Sequence, residues 1–388
     1  MTAAALPLLK LLASCWYLLA ATILVAFLAG QTHTPLSRAI LRYGKTRCDG
    51  NAAGEYDAGV TVLMRRTMTT PYCHVPKRWF TWFYVVGISC NTLVLLASFM
   101  AMQKFGSGID LDGKEMTSLP PRDNDCGLMG LCVAGVAYQL HLVRRLFECL
   151  YVTRFSTSAT MHWLHLAFGI VYYMLVPLTL AMQMFACMPN TTKNPLPLAS
   201  LPRLDIITAR QPSEIALLPP PSTFVPLVIM GVSMMGVGGY LQYCCHVILA
   251  DLRAPARSSG IGMGMGYQKE LCVSMSASAV YRIPRGGLFE FVSSPHYLCE
   301  IIVYAGLALA AGSHGISSMV MTLRLGAGNK TGSSIDVVSC NILILWGGVL
   351  ATTCINLYAS ATETQTWYRA KFGDAYPKHR TALVPWLL

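Results

Sequence analysis

The chain has 388 residues, 54% of them hydrophobic and only 12% charged, with a formal net charge of +11. Its mean hydropathy is +0.48, which excludes an ordinary water-soluble globular domain and points to an all-α polytopic membrane protein, a single integral domain over residues 1–388. The positive charge sits between apolar runs, where it governs membrane orientation, so no nucleic-acid partner is expected.

Seven apolar runs are long enough to cross a bilayer as helices: about 6–29, 80–102, 127–152, 163–187, 224–250, 297–323 and 335–358. The first has only Lys10 near its start and no clear small-residue cleavage site, so it reads as a retained helix. Residues 30–79 carry Arg38, Arg42, Lys45, Arg47, Arg65, Arg66, Lys77 and Arg78 against Asp49, Glu55 and Asp57. Basic residues again dominate at the end of the third run, in 251–296 and in the tail, whereas acids balance bases in 103–126, 188–223 and 324–334. This alternation predicts a lumenal N-terminus and a cytosolic C-terminus. Two sequons, Asn190-Thr191-Thr192 and Asn329-Lys330-Thr331, fall on the predicted lumenal side.

The 14 cysteines are scattered, mostly through apolar runs, without CxxC or cysteine-histidine spacing, so they read as small core residues and no metal site is expected. The stretch 254–279 is rich in glycine, serine and methionine and reads as a surface insertion. Its GIGMGMG lacks the spacing, the preceding strand and the βαβ context of a dinucleotide fingerprint.

Polar residues inside apolar runs are costly and mark function. The third run ends HLVRRLFECLYVTRF, where helical spacing puts Arg144 or Arg145, Glu148, Tyr151 and Val152 on one stripe, with His141 one to two turns earlier. The fifth ends YLQYCCHVILADLR, where Gln242 and His246 are one turn apart and Arg253 stands at the edge, able to fork onto a phosphate. The segment 281–300, YRIPRGGLFEFVSSPHYLCE, breaks any helix at Pro284, allows close backbone approach at Gly286 and Gly287, and begins a new helix at Pro295. Glu300 then lies within the sixth run, where it needs a partner. The tail sets Trp367, Tyr368, Tyr376, Lys378, His379 and Arg380 at the membrane surface; Lys378 and Trp386 read as interfacial anchors.

Together, LRYGKT (41–46), RRLFECLYV (144–152), LQYCCHVILADLR (241–253), YRIPRGGLFEFVSSPHYLCEIIVY (281–304) and YPKHRTALVPWLL (376–388) resemble the steroid 5-alpha-reductase family, most closely its polyprenol reductase branch. The resemblance covers almost the whole chain in order, with 281–388 as the family's C-terminal cofactor-binding part. It implies a multi-pass endoplasmic-reticulum enzyme that uses NADPH to saturate the α-isoprene unit of a long-chain polyprenyl lipid, feeding dolichol synthesis and protein N-glycosylation. Carried across, it points to Arg253, Tyr281, Arg282, Gly286, Gly287, His296, Glu300, Tyr368, Arg145, Gln242 and His246 for the cofactor, with Glu300 on the nicotinamide amide. The chain departs from the steroid enzymes in having the Tyr43-Gly44-Lys45 region where they carry a Gln-Glu pair. It also has His246 and His296 in place of their aspartate and asparagine.

Hydride adds poorly to an unpolarised alkene, so an allylic alcohol offers no electron sink, whereas an α,β-unsaturated aldehyde does. Polyprenal, reduced to dolichal, is therefore the expected immediate substrate, with Tyr151, Tyr43 and Lys45 as candidate proton donors and Glu148 in the same catalytic set. The alternatives are a 3-oxo-5-alpha-steroid 4-dehydrogenase or other enone or enoyl reductase and, more distantly, an isoprenylcysteine-type membrane methyltransferase. A transporter would show inverted half-repeats, and the sequence has none. No protein partner is implied.

Overall fold

The computed structural model describes residues 5–31, 74–106, 124–155, 159–187, 224–253, 281–326 and 337–387. Among them run seven long helices: α1 (Ala5–Gln31), α2 (Thr81–Gly106), α3 (Asn124–Phe147), α4 (Trp163–Cys187), α5 (Val225–Asp251), α6 (Pro295–Gly326) and α7 (Val337–Phe372). Six helical stretches, all but α3, are long and apolar enough to cross a membrane. The protein is thus a mostly helical, multi-pass membrane protein. Tyr43, Lys45, both sequons and the 254–279 insertion lie outside the described residues.

Helix α5 packs along α6, α6 along α7, and α7 along α1, while α2 joins α3 and α4 and α3 closes against α6. Bare backbone makes the α5–α6 contact close: a Cβ on Gly231 would sit 2.5 Å from the Gly306 carbonyl, and one on Gly238 would meet the Cys299 carbonyl at 3.0 Å. Small residues at such a seam let two helices approach where lipid offers no hydrophobic drive. Several polar groups buried between helices are paired. Trp16 Nε1 donates to Thr179 Oγ1 (3.0 Å), Trp346 Nε1 to Gln183 Oε1 (2.6 Å), and Gln183 Nε2 to the Ala311 carbonyl (2.8 Å).

Three features depart from the expected elements. The third run does not stay regular to residue 152: after Phe147 it closes in a π turn, Glu148–Val152, with the Thr153 N–H donating to the Glu148 carbonyl five residues back (2.7 Å). The last run does not end at 358, because α7 continues to Phe372. In this polar extension the hydroxyls of Ser360, Thr362, Thr364 and Thr366 donate to carbonyls four residues back, which hides their polarity within the helix. At 36 residues α7 is about 54 Å long, more than the roughly 30 Å of bilayer hydrocarbon. A two-stranded antiparallel ribbon, β1 (His74–Pro76) with β2 (Thr160–His162), pairs His74 with His162. Runs of three residues are too short to leave an alternating pattern.

Candidate active site

The charged ends of α3 and α5 and the start of α6 meet inside the bundle. Glu148 is fully buried and gathers three cationic or imidazole groups. Its Oε1 accepts from Arg144, while its Oε2 lies 2.5 Å from Arg145 Nη1 and 2.6 Å from His246 Nδ1. Nδ1 of His246 is also 3.0 Å from Arg145 Nη1, and since a guanidinium only donates, a protonated Nδ1 converging on the shared carboxylate accounts for both distances. The second guanidinium nitrogen of Arg145 donates to the Tyr84 hydroxyl (2.8 Å), and the Tyr84 ring lies 5.1 Å from its guanidinium carbon.

Gln242 links this set to Glu300. Its Oε1 accepts from Arg144 Nη2 (2.6 Å), while its Nε2 donates to Glu300 Oε2 and reaches the His296 carbonyl at 3.3 Å. Glu300 therefore does have the partners a buried carboxylate needs. His141 Nε2 stands 3.5 Å from Glu300 Oε1 and Arg145 Nε 4.0 Å from Glu300 Oε2, yet neither nitrogen closes a hydrogen bond within the protein. Two buried donor or acceptor positions beside one carboxylate are what a bound polar ligand would complete.

Of the residues singled out from sequence, Arg145, Glu148, Gln242, His246 and Glu300 are brought together. His296 adjoins them through its carbonyl, its ring 5.8 Å from that of His246. Arg253, just past the end of α5, is exposed and donates to the Arg154 carbonyl (3.0 Å). Arg282 is exposed, and Tyr281 packs its ring against Trp367 (5.1 Å). Tyr151 is not brought in. A regular helix would keep it one turn from Glu148 on the inner stripe, but the wider π turn rotates it to the outer face, where it is 75% exposed against Phe147.

Several site residues left weaker traces in the sequence. His141 and Arg144 are full members of the cluster, and the buried hydroxyls of Tyr138 and Tyr304 lie 3.5 Å apart behind it. Tyr138 is three residues before His141 and Tyr304 four after Glu300, a helical spacing that could have revealed both. Tyr84 contributes from α2 with no local signal.

Next to the cluster, Gly286 (φ 91°) and Gly287 (φ 55°) form an exposed turn in the left-handed half of backbone space, which a side chain rarely adopts. The C-terminal tail is fastened beneath it. Ser293 N–H donates to the Thr381 carbonyl (2.8 Å), Ser294 N–H to that of Ala382 (3.2 Å), and Gln365 Nε2 to that of Arg380 (2.6 Å). Tyr376 stacks on Tyr368 with ring centres 5.3 Å apart, and its hydroxyl donates to Ser293 Oγ (2.7 Å).

Comparison with known proteins agrees with this architecture. The profile of the family described as 3-oxo-5-alpha-steroid 4-dehydrogenase matches residues 270–324 and 342–388, which carry the Gly-Gly turn, Glu300 and the tail. The chain is 29% identical to the polyprenal reductase of Homo sapiens over 90% of its own length and 85% of the relative's. It is 30% identical to polyprenal reductase 1 of Arabidopsis thaliana, over 80% of the chain and 81% of the relative. With the polyprenal reductase of Rattus norvegicus it shares 27% identity over 99% and 98%. A kinship that runs from the first helix to the tail, and is not confined to the cofactor-side segments, makes the chain a member of the polyprenal reductase branch of the steroid 5-alpha-reductase family.

Proposed function

We propose that this protein reduces the α-isoprene double bond of polyprenal to give dolichal, taking hydride from NADPH, at the endoplasmic-reticulum membrane within dolichol synthesis for protein N-glycosylation. The observation that carries the reading is the buried Arg145–Glu148–His246–Gln242–Glu300 cluster, a charged site inside a membrane bundle with Arg145 Nε and His141 Nε2 unspent. Charge in such a place is costly unless it is used. The relatives named polyprenal reductases support the aldehyde as substrate, as does the need of a nucleophilic hydride for a conjugated carbonyl.

The residues fit a nicotinamide dinucleotide. Glu300 is an acceptor suited to a carboxamide, Arg145 offers its Nε beside it, the exposed Arg253 suits phosphate oxygens, and Gly286 leaves open space where a Cβ would otherwise stand. When bound, NADPH supplies the hydride. The chain's own tasks are to bind and orient, to polarise the aldehyde oxygen and to deliver a proton to the α-carbon. For that proton the Tyr138–Tyr304 hydroxyl pair, buried one turn from His141 and Glu300, takes the place assigned to Tyr151. The basic segments are read as cytosolic, giving seven spans with a lumenal N-terminus and a cytosolic site.

Purified protein incubated with NADPH and each lipid separately tests the reading. NADPH consumption with polyprenal and little with polyprenol is the expected result; equal turnover of polyprenol sinks the aldehyde step, and no turnover of either sinks the function. The matching steroid-dehydrogenase profile keeps one second reading in view, reduction of a steroid enone, and a 3-oxo-4-ene steroid in the same assay distinguishes it.

A further inference from the structure

We infer that Glu290 and Arg380 form a clip that holds the Gly286–Gly287 turn in the shape that receives the dinucleotide, a positioning role that rests on the NADPH reading above. The carboxylate of Glu290 is divided between two tasks. Its Oε1 accepts the Gly286 N–H at 2.6 Å, and its Oε2 accepts Arg380 Nη2 at 3.2 Å, with Arg285 Nη1 3.7 Å from the same oxygen. Arg380 donates its other terminal nitrogen to the Pro284 carbonyl at 2.9 Å. The carbonyl at the start of the turn and the N–H in its middle are thus tied to each other through one ion pair, and the backbone between them is fixed at both points.

What is held in this way has one further tie, the Phe289 N–H donating to the Gly286 carbonyl (3.2 Å), and little packing. Gly286 and Gly287 are exposed, and a Cβ built on Gly286 would meet nothing within 4 Å. Packing therefore does not explain why that position lacks a side chain; the backbone conformation does, and neighbouring side chains do not press the turn into it. Arg380, by contrast, is 1% exposed. A guanidinium that far from water is retained only with partners, here Glu290, the Pro284 carbonyl and the Tyr376 ring 5.7 Å from its centre. Tyr376 in turn stacks on Tyr368, and His379 Nε2 lies 3.0 Å from the Glu290 carbonyl. The tail, through Arg380 eight residues beyond the end of α7 at Phe372, thereby acts on the turn without touching it at the glycines.

Glu290→Gln, which keeps the shape and removes the charge, tests the clip. NADPH affinity is measured by fluorescence titration without lipid, followed by steady-state kinetics and by trypsin digestion of the cofactor-free protein, mapped at the Arg285–Gly286 bond. The expected result is NADPH binding weakened about tenfold, which corresponds to about 1.4 kcal/mol, with kcat at saturating NADPH and the KM for polyprenal within twofold of wild type, and faster cleavage after Arg285. Arg380→Lys keeps a positive charge but cannot reach the Pro284 carbonyl and Glu290 together; it shifts the same quantities in the same direction and serves if the glutamine variant does not fold. Affinity for NADPH within twofold of wild type in both variants overturns the clip. Because the titration needs no lipid, the clip stands or falls on it even if polyprenal is not turned over, whereas a wild-type protein that does not bind NADPH overturns both readings.

Discussion

Glu148 shows how one residue can set the character of a site. It is the common partner of Arg144, Arg145 and His246, so Glu148→Gln leaves a buried guanidinium without its counter-charge. Losing one member of a buried ion pair costs on the order of 3–5 kcal/mol, and the expected outcome is a large loss of thermal stability in detergent together with loss of turnover. Tyr151→Phe is the contrasting change. On the outer face it should alter kcat by less than twofold, while Tyr304→Phe lowers kcat at least tenfold with NADPH affinity retained; the opposite ranking would return the proton-donor role to Tyr151. Glu290 supplies the pH dependence. Partial burial raises its pKa, but the Gly286 N–H, Arg380 and Arg285 outweigh this and hold it below the ordinary glutamate value of 4.5. A depressed folded pKa means stability that is present above that ordinary value and lost as pH falls through the folded one. As pH falls from about 5 to about 3, the wild-type melting temperature should therefore fall further than that of Glu290→Gln. The difference should be small, because Glu290 is partly exposed and solvent screens the pair. His379 meets Glu290 through the backbone carbonyl, a contact the substitution leaves in place, so the comparison cancels it.

At the scale of elements, the α5–α6 seam concentrates the packing constraint. Gly231 and Gly306 face each other backbone to backbone, and Gln242 and Glu300 are joined across the same seam toward the end where α5 stops and α6 begins. Gly231→Val should force the helices apart, at a cost of about 1–3 kcal/mol for overpacking, and loosen the cluster as well. A lower melting temperature with unchanged activity would mean that the seam bears stability alone. Much of this was legible in the sequence because apolar length and in-span charge are strong signals: the break at Pro284, the helix start at Pro295, the placing of Gln242 and His246 on one face of α5, and the need of Glu300 for a partner follow from residue type and spacing. The π turn after Phe147 did not show itself, since one extra residue per turn leaves composition unchanged, and it is this that turned Tyr151 outward. The extension of α7 was hidden for a different reason: Ser360, Thr362, Thr364 and Thr366 look polar in a hydropathy window but spend their hydroxyls on their own helix.

For the whole molecule, the site and the membrane orientation make one joint demand. The Gly-Gly turn, Arg253 and the tail that fastens the turn all lie at the same end of the bundle, because α5 ends and α6 begins there and α7 projects past the hydrocarbon to deliver Trp367 and Tyr368. If NADPH is the cofactor, that end must face the cytosol, as the distribution of Lys and Arg between the apolar runs also predicts. Two chemistries read this independently in sealed microsomes. A cysteine placed at the exposed Lys378 should react with a membrane-impermeant maleimide without detergent, and Asn190 and Asn329 should carry glycans that a glycosidase removes only after the membrane is opened. Labelling at residue 378 only in detergent would put the turn and the tail in the lumen. A cytosolic dinucleotide could not reach them there, and the reductase reading would then have to give way even if the fold stood unchanged.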